Sequence, residues 1–217
     1  MSEFARRRTI MVDTQVRPSD VTKFPIIEAM LTVPREVFVP NALQEAAYAG
    51  ENLEIAPGRT ILDPRTLAKI LEVVNIQPTD LVLDVACGMG YSSAVAAHLA
   101  EAVIALEDNP DMCAEAESAL ATAGSDNVAV VEGPLEAGAA KHGPYDVILI
   151  QGAVETVPET LTEQLKDGGR IAAIFEDGRL GTVRLGLKAD GVMSWRSAFN
   201  ADAPILSSFR KAAEFSL

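Results

Sequence analysis

The sequence predicts a doubly wound α/β sheet, mostly parallel, entered through a helical amino-terminal extension. Three observations carry that expectation. Residues 81–85 are a short apolar run that passes through Gly88 and Gly90 into the helical stretch 92–99, as a buried strand, a tight turn and a helix start would. From there to Phe175, strand-like and helix-like stretches alternate, the pattern of strands joined by crossover helices. The last two strand-like stretches are separated only by the turn signal Ala189-Asp-Gly191, so they form an antiparallel hairpin.

Composition sets the outer limits. A chain of 217 residues fits one domain with an extension, and 48% hydrophobic residues are enough for a sizeable core. The net charge of −13 repels phosphates and anionic lipid, which argues against nucleic acid or a membrane as the main partner. Cys87 and Cys113 are too few for a disulfide framework or a zinc site, so both read as buried thiols and no metal is expected. Arg6-Arg-Arg8 reads as a solvated, partly disordered arm. It lacks the apolar segment of a signal peptide, and no apolar run reaches membrane-spanning length, so a cytoplasmic protein is expected.

The elements follow in order. Residues 1–20 are polar and read as flexible at first. Residues 21–32 read as a helix with Ile26, Ile27, Met30 and Leu31 on one side. Residues 34–40 read as a break and a short extended piece, with Arg35 and Glu36 as a structural ion pair, and Asn41 as the cap of a short helix through Tyr48. The absence of any β-α alternation here divides the chain into an extension with a loop, residues 1–60, and a sheet domain, residues 61–217. Residues 58–64 read as a loop of turn-forming and polar residues. Asp63-Pro64 then starts a helix, the carboxylate capping and the proline taking the first helical position, and Leu67, Ile70, Leu71 and Val74 recur at helical spacing. Pro78-Thr-Asp80 leads into the strand at 81–85. A second strand, 103–107, ends in Glu107, and Asn109-Pro110 starts a helix through Thr122. Strands follow at 128–131, 145–150 and 170–175, with a short helix at 160–165. Asp177-Gly178 marks a turn before the strands at 182–187 and 192–199. Trp195 reads as sheet-face packing, and His98 and His142 carry no expected chemistry.

Function is concentrated at the glycine turn. Glycines let a backbone approach a ligand closely, and the first N–H groups of a helix have no internal partner. Glu107 lies 19 positions after Gly88 at a strand end, where a carboxylate can accept both hydroxyls of a ribose. A three-glycine dinucleotide pattern fails: Ser93 falls on the third position counted from Gly88, and Ala86 and Tyr91 stand at glycine positions in the other register. The pattern therefore favours S-adenosylmethionine, which has no pyrophosphate to seat, over NAD. Ligands of such sheets bind at the carboxyl ends of the strands, which places residues 86–91, Glu107, Gly133-Pro134 and Gln151 on one rim. The reading requires a crevice free for an adenosyl group, with Glu107 facing it.

Between residues 21 and 175 the sequence resembles the protein-L-isoaspartate (D-aspartate) O-methyltransferase family. Met30-Leu-Thr-Val-Pro-Arg-Glu-Val-Phe-Val-Pro40 is similar to its amino-terminal signature, with Ala46-Ala-Tyr48 following. Gly58-Arg-Thr-Ile61 with Pro64 is similar to its substrate loop. Val82-Leu-Asp-Val85 with Gly88, Gly90 and Tyr91 is similar to its first methyltransferase motif. Gly143-Pro-Tyr-Asp-Val-Ile148, Val157-Pro158 and Gln164-Leu-Lys-Asp-Gly-Gly-Arg170 resemble later motifs. The resemblance implies a Rossmann-like, seven-stranded methyltransferase sheet and S-adenosyl-L-methionine as donor, with S-adenosyl-L-homocysteine as product. It implies methylation of the free carboxylate of isoaspartate in damaged proteins and peptides. The ester then cyclises to a succinimide that reopens partly as aspartate. It assigns a catalytic role to Thr60, and cofactor contacts to Ile61, Leu62, Arg65, Asp84, Ala86 and Cys87. It extends those contacts to Gly88, Gly90, Tyr91, Glu107 and Asp108, and to Gly133, Pro134 and Leu135. The chain departs from the family at five of these positions: Leu62 replaces a Ser, Arg65 a frequent His, Ala86 the first motif glycine, Pro134 an Asp that accepts from the adenine amino group, and Leu135 the glycine after that Asp. Thr60, Arg59 or Arg65 could compensate for the lost Ser hydroxyl. Leu62 leaves two alternatives open: the same fold acting on another acceptor such as a small molecule, and a non-catalytic descendant that binds a nucleoside or a partner.

Overall fold

The computed structural model describes residues 2–176, 178 and 180–211. Asp177, half of the turn signal before the last hairpin, lies outside the described residues. Two strands form a small sheet of their own, β1 (Leu53–Ala56) and β2 (Arg59–Ile61). The seven-stranded sheet contains β3 (Leu81–Val85), β4 (Ala102–Glu107), β5 (Val128–Glu132), β6 (Tyr145–Val154), β7 (Leu165–Glu176), β8 (Gly181–Ala189) and β9 (Val192–Asn200). Its order is β5-β4-β3-β6-β7-β8-β9. β3 to β7 pair in parallel, β8 is antiparallel to β7, and β8 and β9 are the expected antiparallel hairpin. The chain reverses its direction across the sheet between β3 and β6, so the crevice predicted for a ligand opens at the carboxyl ends of these two strands.

Successive side chains of a strand face opposite ways, and the core obeys that period. Val82, Val103, Val147 and Leu149 belong to one apolar cluster, shared with the extension and the helices α3 (Pro64–Val74), α4 (Tyr91–Ala97) and α5 (Pro110–Ala123). Leu83, Ile104, Ile148 and Ile150 belong to the other, closed by Leu161, Leu206 and Phe209. The starts of α3 and α5 are those expected. Asp63 Oδ1 accepts from the Thr66 amide at 3.0 Å, and Asn109 Oδ1 accepts from the Asp111 and Met112 amides. α5 ends at Gly124, whose φ of 72° suits glycine.

The extension differs from its expectation. Residues 3–19 are helical, not flexible: α1 (Glu3–Met11) runs on through a π-turn and a 3₁₀ turn. Met11, Val12 and Val16 are fully buried and anchor it. The basic cluster is not a free arm. Arg8 donates to the Thr32 carbonyl at 2.7 Å, the Tyr48 hydroxyl and Glu36, and Arg7 bridges Glu3 and Glu45. α2 (Phe24–Thr32) begins three residues later than expected, because the Thr22 and Lys23 amides donate to Glu72 instead of opening a helix. Residues 35–38 form a 3₁₀ turn, not an extended piece. Arg35 and Glu36 are not paired with each other: Arg35 donates to the Ala47 and Leu62 carbonyls, while Glu36 takes Arg8 and Tyr48. Residues 41–46 are a 3₁₀ helix with no side-chain cap from Asn41. Residues 59–61, expected in a loop, are strand β2. The short helix is α6 (Glu159–Thr162), and Leu165 already opens β7. Trp195 packs edge-on against Phe175, at 5.1 Å between ring centres, as sheet-face packing requires.

Candidate cofactor and acceptor site

The turn after β3 is built by backbone geometry. Ala86, Gly88 and Gly90 have φ of 60°, 57° and 93°, the left-handed region in which a side chain is strained. Ala86 therefore carries more than a mild change from glycine: it holds its methyl in a conformation that disfavours one. A Cβ on Gly88 would lie 2.8 Å from Ile55 Cδ1 of β1, so glycine there permits the hairpin to lie directly on the turn. Gly90 caps α4, with Leu120 and Ala116 behind it.

Asp84 stands under the turn, fully buried. The Ser92 and Ser93 hydroxyls each donate to Oδ2 at 2.6 Å, and Gln151 Nε2 donates to Oδ1 at 2.7 Å. Burial raises its pKa from the ordinary carboxylate value, against these three hydrogen bonds. Asp84 thus ties the first turn of α4 to β6 and faces protein donors. Ser93, which spoils the dinucleotide pattern, finds its purpose here. Cys87 is buried, and its thiol is pushed well above its usual pKa by burial and then by Asp84 and Glu107, so it stays protonated and inert.

Glu107 faces the crevice from the end of β4 and has no exposed surface. The Gly88 amide donates to its Oε2 at 3.0 Å, and the Asp108 and Asn109 amides donate to Oε1. The same carboxylate is held by Arg59: Nε lies 2.9 Å from Oε1 and 3.1 Å from Oε2. The guanidinium also bonds Asp108 and the Gly58 carbonyl. Burial raises the Glu107 pKa, and the Arg59 charge works against that shift. The expectation of a free crevice is therefore not met in this conformation. The position expected for a ribose is taken by Arg59, and Ile55 lies over Gly88. The remaining cavity, lined in part by Thr60, Leu62, Cys87, Tyr91 and Gln151, measures about 10 Å³, room for about one water. The residue types suit an adenosyl group, with a hydrogen-bond-accepting carboxylate beside a bare glycine turn, but the space in this conformation does not. A larger groove of about 470 Å³, between Pro25, Leu71, Pro78 and Leu99, borders the loops that enter β3 and β4, at the end of the sheet away from the crevice.

The other expected residues divide. Thr60, Ile61 and Leu62 are buried against the glycine turn, sharing that cavity with Tyr91 and Ser92. The Thr60 hydroxyl is buried without a hydrogen-bond partner, while the buried Tyr91 hydroxyl and Arg35 guanidinium interact with each other. The Arg35 guanidinium lies 4.6 Å from the Tyr91 ring centre, a cation–π contact. The Gly133 amide donates to the Glu107 carbonyl, Pro134 is exposed on the rim, and Leu135 is buried behind it. Asp108 is partly exposed beside Glu107. Arg65 is exposed on the first turn of α3 and is absent from the cavity lining, so it does not replace the missing hydroxyl there. Sequence reasoning missed Arg59 as a partner of Glu107, a pairing 48 positions apart that no local pattern announces. His98 and His142 are exposed.

Comparison with known proteins bears on family and fold. The family model described as protein-L-isoaspartate(D-aspartate) O-methyltransferase covers residues 7–196. A protein-L-isoaspartate O-methyltransferase of Koribacter versatilis is 38% identical over 171 residues, 79% of this chain and 77% of that one. One of Methanoculleus marisnigri is 34% identical over 194 residues, 83% of this chain and 88% of that one. A solved protein-L-isoaspartate O-methyltransferase superposes with a TM-score of 0.76 at 25% identity, over 92% of this chain and 64% of its own length. A Plasmodium falciparum structure, at 18% identity and a TM-score of 0.79, shares the fold over 96% of this chain and all of its own. With the amino-terminal signature, the glycine turn and the acceptor segment all inside the matched span, the chain belongs to the protein-L-isoaspartate(D-aspartate) O-methyltransferase family.

Proposed function

We propose that this protein is an S-adenosyl-L-methionine-dependent methyltransferase acting in the cytoplasm on the free carboxylate of isoaspartyl residues in proteins and peptides, with S-adenosyl-L-homocysteine as product. The observation that carries the reading is the meeting of two segments: Thr60 to Leu62 line the same small cavity as Cys87, Tyr91 and Ser92 of the glycine turn. An acceptor held by the first would lie beside a donor held by the second.

The donor supplies an activated methyl group. The chain's own task is placement. A carboxyl group in water ionises with a pKa of about 4, so at neutral pH it is already a nucleophile and needs no base. Alignment and shedding of water can supply roughly 7–11 kcal/mol in good cases. Glu107, Asp108 and the Gly88 turn are the groups proposed to hold the nucleoside, and Leu135 to back the base. The Thr60 hydroxyl, buried without a partner, is the donor proposed for the acceptor carboxylate. Leu62 cannot assist: its side chain is 2% exposed, within the core, and its carbonyl already accepts from Arg35.

The test is transfer of a labelled methyl from S-adenosyl-L-methionine to an isoaspartyl peptide, with the aspartyl isomer alongside. Label in the isoaspartyl peptide alone is expected, and none in either peptide would overturn the reading. Leu62→Ser, which restores the family hydroxyl, is expected to raise the rate. It also removes a packed side chain, so a loss of about 2–4 kcal/mol in urea unfolding should accompany the gain.

A further inference from the structure

The β1–β2 hairpin lies on the crevice as a latch. It is a separate two-stranded sheet, not part of the main one. Asn52 ties down both of its feet, donating to the Asp202 carbonyl and accepting from the Asp63 amide, each at 2.8 Å. Its tip is less restrained: Gly58 has φ of 73° and nothing stands within 4 Å of where its Cβ would be. Two side chains fasten the tip down, Ile55 on Gly88 and Arg59 on Glu107 and Asp108.

We infer that Arg59 is a built-in competitor of the nucleoside for Glu107, so that cofactor binding requires the tip of the hairpin, residues 55–59, to lift away. The inference rests on the methyl-donor reading and adds a residue that sets the affinity of that site.

Three features make the exchange feasible. First, Glu107 is not orphaned when Arg59 leaves, because the Gly88, Asp108 and Asn109 amides still donate to it. Breaking a buried ion pair is costly mainly when one charge is left without partners. Second, Arg59 does not lose every partner: the Gly58 carbonyl that it bonds at 2.9 Å belongs to the same tip and lifts with it, into water. Third, the closed state is imperfect. The Thr60 hydroxyl, which lines the residual cavity, has no partner in the closed form. A neutral ribose hydroxyl makes a weaker hydrogen bond to a carboxylate than a guanidinium does. Without ligand, the Arg59–Glu107 pair holds the tip closed. Apparent affinity falls in proportion to the fraction that is open.

The experiment is calorimetric titration of S-adenosyl-L-homocysteine into the full chain and into Arg59→Gln. The expected result is binding by both, at least tenfold tighter in the variant. A second readout uses the unmodified protein with ¹⁵N-labelled arginine: the Arg59 Nε–H, buried on Glu107, gives a protected resonance that disappears on saturation with the ligand. This measurement decides the matter if the variant fails to fold. Binding by the wild type with an equal or weaker variant, or a protected resonance that survives saturation, overturns the latch and leaves the donor reading standing. No binding by either protein at about 1 mM ligand removes the donor reading, and the latch with it.

Discussion

Asp84 binds a proton more readily in the folded chain than in the unfolded one, because burial raises its pKa. A carboxyl raised in this way takes stability from the fold as pH climbs from the ordinary carboxylate range to its own higher value. The difference is constant above that window. Asp84→Asn removes the titration, so the stability of the wild type relative to the variant is expected to fall with rising pH through the window and then level off. Urea unfolding of both proteins from pH 4 upward measures this. Ala86 gives a second test. Replacement by Gly relieves a left-handed residue of about 1–2 kcal/mol. It adds about 0.4–1 kcal/mol of unfolded-chain entropy and loses about 0.8 kcal/mol of buried methyl. The terms nearly cancel, and an unfolding midpoint close to the wild type is expected; a large loss would show that the turn does not strain Ala86.

At the scale of elements, α1 is held through Arg8 rather than through its own helical propensity. Its side chain is 12% exposed and donates to the Thr32 carbonyl, Tyr48 and Glu36. Arg8→Ala takes its donor from the Thr32 carbonyl, while Tyr48 and Glu36 keep each other, and is expected to cost about 1–3 kcal/mol, read from urea unfolding. Arg7→Ala, on an exposed pair with Glu3 and Glu45, should cost less. The sheet elements and the α3 and α5 caps were legible because their signals are local: apolar runs of strand length, and Asp63 and Asn109 placed before proline. The β1–β2 hairpin was not legible. Residues 58–64 read as a loop of turn-forming and polar residues, and the hairpin is held by Asp202, Gly88 and Glu107, which are distant in sequence.

Across the whole molecule, residues 1–60 and 61–217 are proposed as layers of one folding unit. Met11, Val16, Ile27 and Met30 of the first share an apolar cluster with Leu67, Leu71, Val82 and Val147 of the second. A single cooperative transition is expected, with far-UV circular dichroism and the fluorescence of Trp195 on β9 changing together. An earlier dichroism step would show that the extension unfolds alone. Among the described residues no helix is long and apolar enough to cross a membrane.

Sequence alone determined the alternating sheet, the glycine turn that ends β3, the acidic residue that ends β4, and membership of a methyltransferase family. Each is written in a few neighbouring residues whose period or conformational freedom shows without a partner. Tertiary structure alone decided that Arg8 is a clamp, that Asp84 is spent on Ser92, Ser93 and Gln151, and that Glu107 is already held by Arg59. A charge chooses its counter-charge by distance in space, and the chain brings residues 48 positions apart to within 2.9 Å only once the sheet and the hairpin have both formed.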